Sequence, residues 1–107
     1  MIGKLITVTV DRPIGSAHPD YPELIYPINY GYIDGIHAAD GEEQDAYILG
    51  VYEPISEFTG RVIAIIHRHN DVEDKLVVAP DGSEFTKDDI VRATHFQERY
   101  FEISVEI

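Results

Sequence analysis

The chain contains no cysteine among its 107 residues, which excludes disulfide bonds and thiolate metal sites. Its longest apolar run spans only residues 62–66, far fewer than the roughly 18 residues that a membrane-spanning helix needs. No charged-then-apolar signal segment opens the chain, because residues 1–10 already alternate in the manner of a strand. We therefore expect no membrane partner and a cytoplasmic location.

Basic residues are also scarce, since eight lysines and arginines stand against 20 aspartates and glutamates, for a net charge of −12. Such a balance disfavours nucleic acid and anionic membranes as partners. The acidity either serves solubility or includes carboxylates that bind hard cations such as Mg²⁺ or Ca²⁺. In the second case an anionic substrate would be bound through metal ions. The chain has no serine elbow, glycine-rich phosphate loop or HExxH motif.

The length predicts one domain over residues 1–107, and a hydrophobic content of 44% is that of a globular protein. Alternation over residues 4–11 predicts a half-buried strand with Ile6, Val8 and Val10 facing inward. Further extended segments are predicted at residues 24–33, 46–52, 61–67, 75–79 and 101–107. One helix is expected after Thr86, an N-cap followed by acids, with Ile90, Ala93 and Phe96 in its apolar stripe. The fold class is therefore α+β, mainly β: a small closed or partly open barrel with a C-terminal helix.

Residues 26–45 combine tyrosines, an asparagine and carboxylates, with turn signals at residues 34–35 and 40–41. Asp40, Glu42 and Asp45 fall at i, i+2 and i+5. Around a tight turn this spacing either aims several carboxylates at one hard cation or leaves them as solvated turn acids.

A second acidic group comprises Asp71, Glu73 and Asp74, directly before Lys75. It is either a solvated hairpin loop or a second wall of the same metal-binding mouth. Two metals roughly 3.5–4 Å apart would need about as many carboxylates as the two groups supply.

The seven tyrosines divide into two groups. Tyr21, Tyr47 and Tyr52 are predicted to serve packing. A phenol can donate to a phosphate oxygen without adding charge, and this is the role considered for Tyr26, Tyr30 and Tyr100 if they line the acidic mouth.

Two motifs together resemble those of the soluble family I inorganic pyrophosphatases. Residues 26–33 read YPINYGYI, where the family has YPxNYGYI, and residues 40–45 read DGEEQD, where it has DGDPxD. A looser similarity covers residues 63–80 and residues 95–100. The resemblance implies an OB-like β-barrel, Mg²⁺ dependence with Mn²⁺ as an alternative, and hydrolysis of pyrophosphate to two phosphates.

The resemblance also implies roles for individual residues. Glu42, Asp45 and Tyr30 take the catalytic positions, with Glu42 associated with activation of water. Lys75, Tyr100 and Arg12 take positions that contact phosphate. The metal ligands would be Asp40, Glu42, Asp45, Asp71 and Asp74, while Asn70 or Glu73 replaces a member of the last pair under a shifted alignment. Asp11 resembles a family glutamate at the end of the first strand.

The chain departs from the family pattern in three respects. It is shorter and lacks the lead-in hairpin whose basic side chains bind phosphate, Phe101 stands where the family has a lysine, and Glu42 adds one methylene to the water-activating position. Because a displacement of about 1 Å can lower a rate roughly 100-fold, two alternatives stay open. One is a hydrolase of another phosphoanhydride or phosphoester, and the other is an inactive metal- or phosphate-binding module. The resemblance also implies a homo-oligomer.

Overall fold

The computed structural model describes residues Met1–Ile107 and contains six strands and one helix. The elements in chain order are β1 (Leu5–Arg12), β2 (Asn29–His37), β3 (Glu43–Ile48), β4 (Glu57–Arg68), β5 (Asp74–Ala79), α1 (Lys87–Glu98) and β6 (Ile103–Glu106). Its one helix lacks the length and apolar character that crossing a bilayer requires. The predicted α+β, mainly β fold class is confirmed.

Five of the strands close into a barrel in the order β1-β2-β3-β5-β4. The 12-residue strand β4 makes closure possible because residues 57–61 pair with β1 and residues 61–67 pair with β5. All pairings are antiparallel except that of β3 with β5, which is parallel. The result is the OB-like closed barrel predicted from the sequence, extended by β6 and packed against one helix.

Two apolar clusters occupy opposite faces of the strands. The cluster inside the barrel comprises Ile6, Val8, Ile33, Ala46, Ile48, Val62, Leu76 and Val78. The cluster outside comprises Tyr26, Tyr30, Tyr47, Leu49, Ala64, Ile66, Val77 and Ile90, and α1 covers it. Because successive side chains of a strand point to opposite faces, Asp45 shares the outer face with Tyr47, and Lys75 shares it with Val77.

Helix α1 begins at the predicted N-cap. The Asp89 amide donates to Thr86 Oγ1 at 3.1 Å, and the Thr86 amide donates to Asp89 Oδ2 at 2.9 Å, a reciprocal capping box. The predicted apolar stripe is confirmed, since Ile90 is fully buried and Phe96 meets the ring of Tyr26 edge-on. This contact fixes the C-terminal end of α1 against the outer face of the barrel.

Glycine is required at position 31, where β1 and β2 cross closely. A Cβ atom on Gly31 would overlap the carbonyl oxygen of Thr9 and lie 2.8 Å from the Cα of Val10. Gly31 pairs with Val10 on one side and with Ala46 on the other. The glycine of the tyrosine-rich motif therefore permits close backbone contact inside the barrel wall.

Three predictions about the strands were wrong in detail. The strand predicted to reach Tyr52 ends at Ile48, because Gly50 adopts φ +84°. Tyr52, predicted to pack, is consequently 85% exposed, and Tyr21, for which packing was also predicted, is 59% exposed. The turn predicted at residues 34–35 lies inside β2, where the pairing register shifts between Ile33 and His37. Strand β4 starts at Glu57 and not after Gly60, because residues 57–61 pair with β1.

Candidate active site

A cleft of about 940 Å³ lies between the outer face of the barrel and the C-terminal end of α1. Its polar wall comprises Arg12, Glu23, Tyr30, Asp45, Arg68, Lys75, Gln97 and Arg99. Its apolar wall is formed chiefly by His18, Tyr21, Leu24, Ile25, Phe96, Tyr100 and Phe101. The cleft therefore joins an ionic surface to an aromatic and aliphatic one.

Three neighbouring strands deliver the centre of the polar wall. Tyr30 lies on β2, Asp45 on β3 and Lys75 on β5. The pairing of Tyr32 with Asp45 and that of Ala46 with Leu76 set these side chains beside one another. Sheet topology thus brings together residues that are 15 and 30 positions apart in the sequence.

Asp45 and Lys75 form the ionic centre of the cleft. Asp45 Oδ2 accepts hydrogen bonds from the Tyr30 hydroxyl at 2.8 Å and from Lys75 Nζ at 2.6 Å. Lys75 Nζ also donates to the carboxylate of Glu73, and it lies 5.7 Å from the centre of the Tyr30 ring. The Lys75 side chain is only 4% exposed, so its charge depends on these two carboxylates for compensation.

Burial changes the acidity of the groups around this centre. Desolvation raises the pKa of Glu73 above its ordinary value, and the nearby Asp45 carboxylate raises it further against the opposing effect of Lys75. Desolvation likewise raises the pKa of Asp11, although Arg12 opposes that shift. The Tyr30 pKa is raised well above 10.0 by burial and by Asp45, so its hydroxyl remains a donor at neutral pH.

Arg12, another residue of the polar wall, is held in place by aromatic residues. One of its terminal nitrogens donates to the Tyr26 hydroxyl at 2.6 Å, and its guanidinium lies over the rings of Tyr26 and Tyr30 at 5.6 and 5.4 Å. The Tyr26 hydroxyl donates in turn to Gln97 Oε1 at 2.7 Å. Tyr26 is fully buried, so its role is to orient Arg12 and not to line the mouth.

This hydrogen-bond chain continues beneath the cleft to a buried ion pair. Gln97 Nε2 donates to the Tyr47 hydroxyl at 2.7 Å, and that hydroxyl donates to Glu98 Oε2 at 2.6 Å. Arg68 donates to both oxygens of Glu98, from Nε at 2.9 Å and from a terminal nitrogen at 2.6 Å. The last turn of α1 thereby helps to orient Arg12 and Arg68, both of which line the cleft.

Arg68 was missed by the sequence analysis. Its guanidinium lies 3.8 Å from the centre of the Phe101 ring, and its side chain is 5% exposed. One signal was available, because Arg68 continues the outward alternation of Ala64 and Ile66 along β4. A basic residue that extends a buried face requires a partner, and Glu98 provides it.

Positive charge is concentrated in this cleft. Four of the eight lysines and arginines of the chain line it, namely Arg12, Arg68, Lys75 and Arg99, although the net charge is −12. Arg12 and Arg99 donate to tyrosine hydroxyls and not to carboxylates. Their charges are therefore available to an anion, and cations without a carboxylate partner in such a cleft attract that ligand.

The structure separates the five predicted metal ligands. Only Asp45 lines the cleft. Asp40 accepts from the Glu42 amide at 3.0 Å in an exposed turn, Asp71 pairs with Arg68 at 3.4 Å, and Asp74 pairs with His67 at 3.1 Å. No group of three or more histidine, aspartate or glutamate side chains lies close enough together to hold a metal ion.

The remaining predicted residues are found together. Arg12, Tyr30, Lys75 and Tyr100 all line the cleft with Asp45. Glu73, the candidate of the shifted alignment, faces Lys75, whereas Asp74 points to the opposite side of the strand. These positions describe the geometry, and the roles of the residues stay predictions.

Asp45 and Glu73 provide the donor set that best fits a divalent cation. Oxygens of both carboxylates contact the same atom, Lys75 Nζ, and therefore converge on one point. Mg²⁺ is usually held by one or two carboxylates, with water and substrate phosphates completing its octahedral shell. The pair fits such a site, at which the metal would compete with the lysine ammonium.

Comparison with known proteins relates this geometry to one group of enzymes. No family model matches the chain. The inorganic pyrophosphatase of Gluconobacter oxydans is 29% identical over 120 aligned positions, which cover 92% of this chain and 68% of that protein.

Solved structures give a similar result for the fold. The inorganic pyrophosphatase of Neisseria gonorrhoeae superposes with a TM-score of 0.70 at 22% identity, covering 92% of this chain and 74% of that one. The inorganic pyrophosphatase of Ehrlichia chaffeensis gives a TM-score of 0.73 at 19% identity, covering 99% and 87%. The chain therefore has the fold of these proteins. The similarity to inorganic pyrophosphatases that its motifs indicate is confirmed.

Proposed function

We propose that the chain is a short, divergent inorganic pyrophosphatase that hydrolyses pyrophosphate to two phosphates in the presence of Mg²⁺. The observation that carries this proposal is the convergence of Tyr30, Asp45 and Lys75 at one point of a cleft. The motif resemblance assigns these same residues to catalysis and phosphate binding. The sequence similarity to the Gluconobacter oxydans enzyme supports the same activity.

We assign substrate binding to the basic residues of the polar wall. Arg12 and Arg99 donate to tyrosine hydroxyls, and Lys75 donates to the Asp45 carboxylate. The Tyr100 hydroxyl supplies a neutral donor at the same mouth. Pyrophosphate carries several negative charges at neutral pH, so oriented cations offset the repulsion from the acidic chain.

Asp45 and Glu73 would hold the cation, Mg²⁺ or alternatively Mn²⁺, at the point where their oxygens converge. A bound metal of this kind lowers the pKa of a coordinated water towards neutrality and neutralises phosphate charge. Asp40, Glu42, Asp71 and Asp74 remain ligand candidates through the motif alone. Lys75 would then turn its ammonium from the carboxylates towards a phosphate oxygen.

The side chains account for the rest of the reaction. Because Glu73 is proposed as a ligand of the cation, its carboxylate is not also assigned to accept a proton from the attacking water, and that role stays with the residue that the motif names. Glu42, the motif's candidate for this role, lies in the exposed turn before β3. The water oxygen bonds to one phosphorus while the bridging P–O bond breaks. Lys75 and Arg12 stabilise the charge that develops on the departing phosphate.

The decisive experiment measures phosphate release from pyrophosphate with and without Mg²⁺. Release should require the metal and fall at least about 100-fold in Asp45→Asn, because that change removes a carboxylate from the reacting centre. Asp88→Asn is the matched control, since Asp88 lies in an exposed ion pair on α1. Absence of metal-dependent release by the unaltered chain would refute the proposal.

Three further expectations belong to the proposal, of which the oligomer rests on the resemblance and the other two on the sequence itself. We expect a cytoplasmic homo-oligomer with no nucleic acid partner. Light scattering coupled to size-exclusion chromatography would give the mass in solution against 12.1 kDa for one chain. A purely monomeric species at micromolar concentration would contradict the oligomer.

A further inference from the structure

The cleft is larger than inorganic pyrophosphate requires. Its volume of about 940 Å³ is near the upper end of the roughly 300–1,000 Å³ found for pockets that bind drug-sized organic ligands. Pyrophosphate has only about nine non-hydrogen atoms, a small fraction of such a ligand. The ionic centre around Asp45 and Lys75 occupies part of the lining, and the apolar residues around Tyr21 and Ile25 have no role in the chemistry described above.

The unused wall is apolar and aromatic, and it is exposed. Tyr21 and Ile25 are 59% and 50% exposed, and both line the cleft. Large apolar groups that face solvent beside a charged site are typical of ligand-binding surfaces, because burial by a ligand is then favourable. The wall therefore has the chemistry to bind an organic group.

The loop that carries this wall has a defined backbone. Ala17 and Ile25 form an isolated antiparallel bridge, the His18 amide donates to the Leu24 carbonyl at 2.9 Å, and the Leu24 amide donates to the Tyr21 carbonyl at 2.9 Å. The rings of His18 and Tyr21 lie 5.1 Å apart. An aromatic surface held in this way can stack on a planar group at little entropic cost.

The two walls are continuous. The Arg99 guanidinium lies 4.9 Å from the Tyr100 ring centre and donates to the Tyr100 hydroxyl at 2.8 Å. Arg68 stacks on Phe101 at 3.8 Å. Each arginine of this edge therefore adjoins an aromatic ring, so one ligand could place phosphate on the cations and a planar group on the rings.

We propose that the cleft accepts a phosphoanhydride that carries an organic group, of the size and chemistry of a nucleoside di- or triphosphate. The phosphates would bind the wall of Arg12, Lys75 and Arg99, and the planar base would bind the wall of Tyr21 and Ile25. The hydrolytic part of this inference rests on the proposed function. Water would add its oxygen to one phosphorus as the bridging P–O bond breaks, with no oxidant or reductant involved.

Binding tests the inference without requiring turnover. Calorimetry with Mg²⁺ present would compare imidodiphosphate with the β,γ-imido analogue of ATP, which carries the same P–N–P unit on an AMP group. Stacking of one base on aromatic side chains should tighten binding of the nucleotide about tenfold or more. Equal affinity, weaker nucleotide binding or no binding of either compound would overturn the inference.

Two tyrosine variants locate the effect. Tyr21→Ala should remove most of the nucleotide's advantage and leave imidodiphosphate binding unchanged. Tyr52→Ala is the matched control, because Tyr52 is 85% exposed and lies outside the cleft. Both side chains are exposed, so both variants should fold. If the advantage persists in Tyr21→Ala, or if that change alters only the oligomeric state, the assignment of the apolar wall to a nucleotide is overturned.

The outcomes separate this inference from the proposed function. Hydrolysis of pyrophosphate without preferential nucleotide binding would overturn the inference and leave the proposed function standing. Preferential nucleotide binding that Tyr21→Ala abolishes, with no metal-dependent hydrolysis of pyrophosphate, would support the inference and overturn the proposed function.

Discussion

The Lys75 ammonium lies 2.6 Å from Oδ2 of Asp45, a residue 30 positions earlier in the chain. The parallel pairing of β3 with β5 makes this contact, because both side chains leave their strands on the outer face of the barrel. Glu73 contacts the same ammonium. One ammonium group therefore bridges two carboxylates beside the cleft.

Replacing Lys75 by methionine should affect both activity and stability. The two carboxylates would lose their common donor, and phosphate in the cleft would lose a cation. We expect phosphate release to fall at least about 100-fold and the free energy of unfolding to fall by about 1–3 kcal/mol. Lys87→Met is the control, because Lys87 is exposed at the first turn of α1. A Lys75→Met variant with unchanged rate would remove Lys75 from the proposed mechanism.

Disrupting the ion pair between Arg68 and Glu98 should destabilise the protein more than disrupting the other ion pair of α1, between Arg92 and Asp88. The side chains of the first pair are 5% and 1% exposed, whereas those of Arg92 and Asp88 are 73% and 72% exposed. Removing one partner of a buried pair leaves a charge without compensation and costs about 3–5 kcal/mol. An exposed i, i+4 pair contributes about 0.3–0.5 kcal/mol.

Urea denaturation of Glu98→Ala and Asp88→Ala would measure this difference. Both changes remove one carboxylate from the same helix, so helix propensity affects them in the same direction. We expect the first variant to lose several times more stability than the second. Similar losses would mean that water reaches Arg68 and compensates its charge.

Glycine 31 should tolerate no side chain. A Cβ atom there would overlap the Thr9 carbonyl oxygen inside the barrel, where neither backbone can withdraw without breaking strand pairing. Gly41 has φ +87° with open space around it, so alanine there meets only the cost of a left-handed conformation, about 1–2 kcal/mol. In thermal denaturation, Gly31→Ala should lower the melting temperature far more than Gly41→Ala. The reverse order would show that the strands separate easily at this crossing.

Features that depend on neighbouring residues in the chain were predictable from the sequence. Contacts between residues that are distant in the chain were predictable only in part. The alternation of Ile6 and Val8 and the cap at Thr86 depend on neighbouring residues, and the structure has both as predicted. The approach of Tyr30 to Asp45 and Lys75 depends on strand order, which hydrophobic pattern does not contain. For these three residues, the motif resemblance supplied what physical analysis of the sequence lacked.

Strand alternation explains where the acidic loop differs from expectation. Adjacent residues of a strand point to opposite faces, so Asp74 cannot face the cleft while Lys75 does. Glu73, two positions before the lysine, lies on the correct side and contacts it. Arg68 was missed for a related reason, because its partner Glu98 is 30 residues away on a helix.

The contacts of His67 should make stability depend on pH. This side chain joins three strands: its Nε2 lies 2.8 Å from the Glu106 carboxylate of β6, and its Nδ1 lies 3.1 Å from the Asp74 carboxylate of β5. The hydrogen bond with Glu106 raises the His67 pKa above its ordinary value of 6.5, Asp74 adds to the effect, and desolvation opposes it. The folded state therefore binds the proton more tightly than the unfolded state does.

A raised pKa in the folded state means that protonation stabilises the fold. The stabilisation is complete below the unfolded pKa of about 6.5 and disappears as pH rises through the higher folded value. Because the imidazole and both carboxylates are partly exposed, solvent screening keeps the effect below about 1 kcal/mol. Urea denaturation between pH 5 and 9 should show wild type exceeding His67→Gln in stability at acid pH and losing that advantage at alkaline pH. Glu106→Gln should reduce the same advantage, because it removes the first of the two partners. An advantage that grows with pH would reverse the assigned direction of the pKa shift.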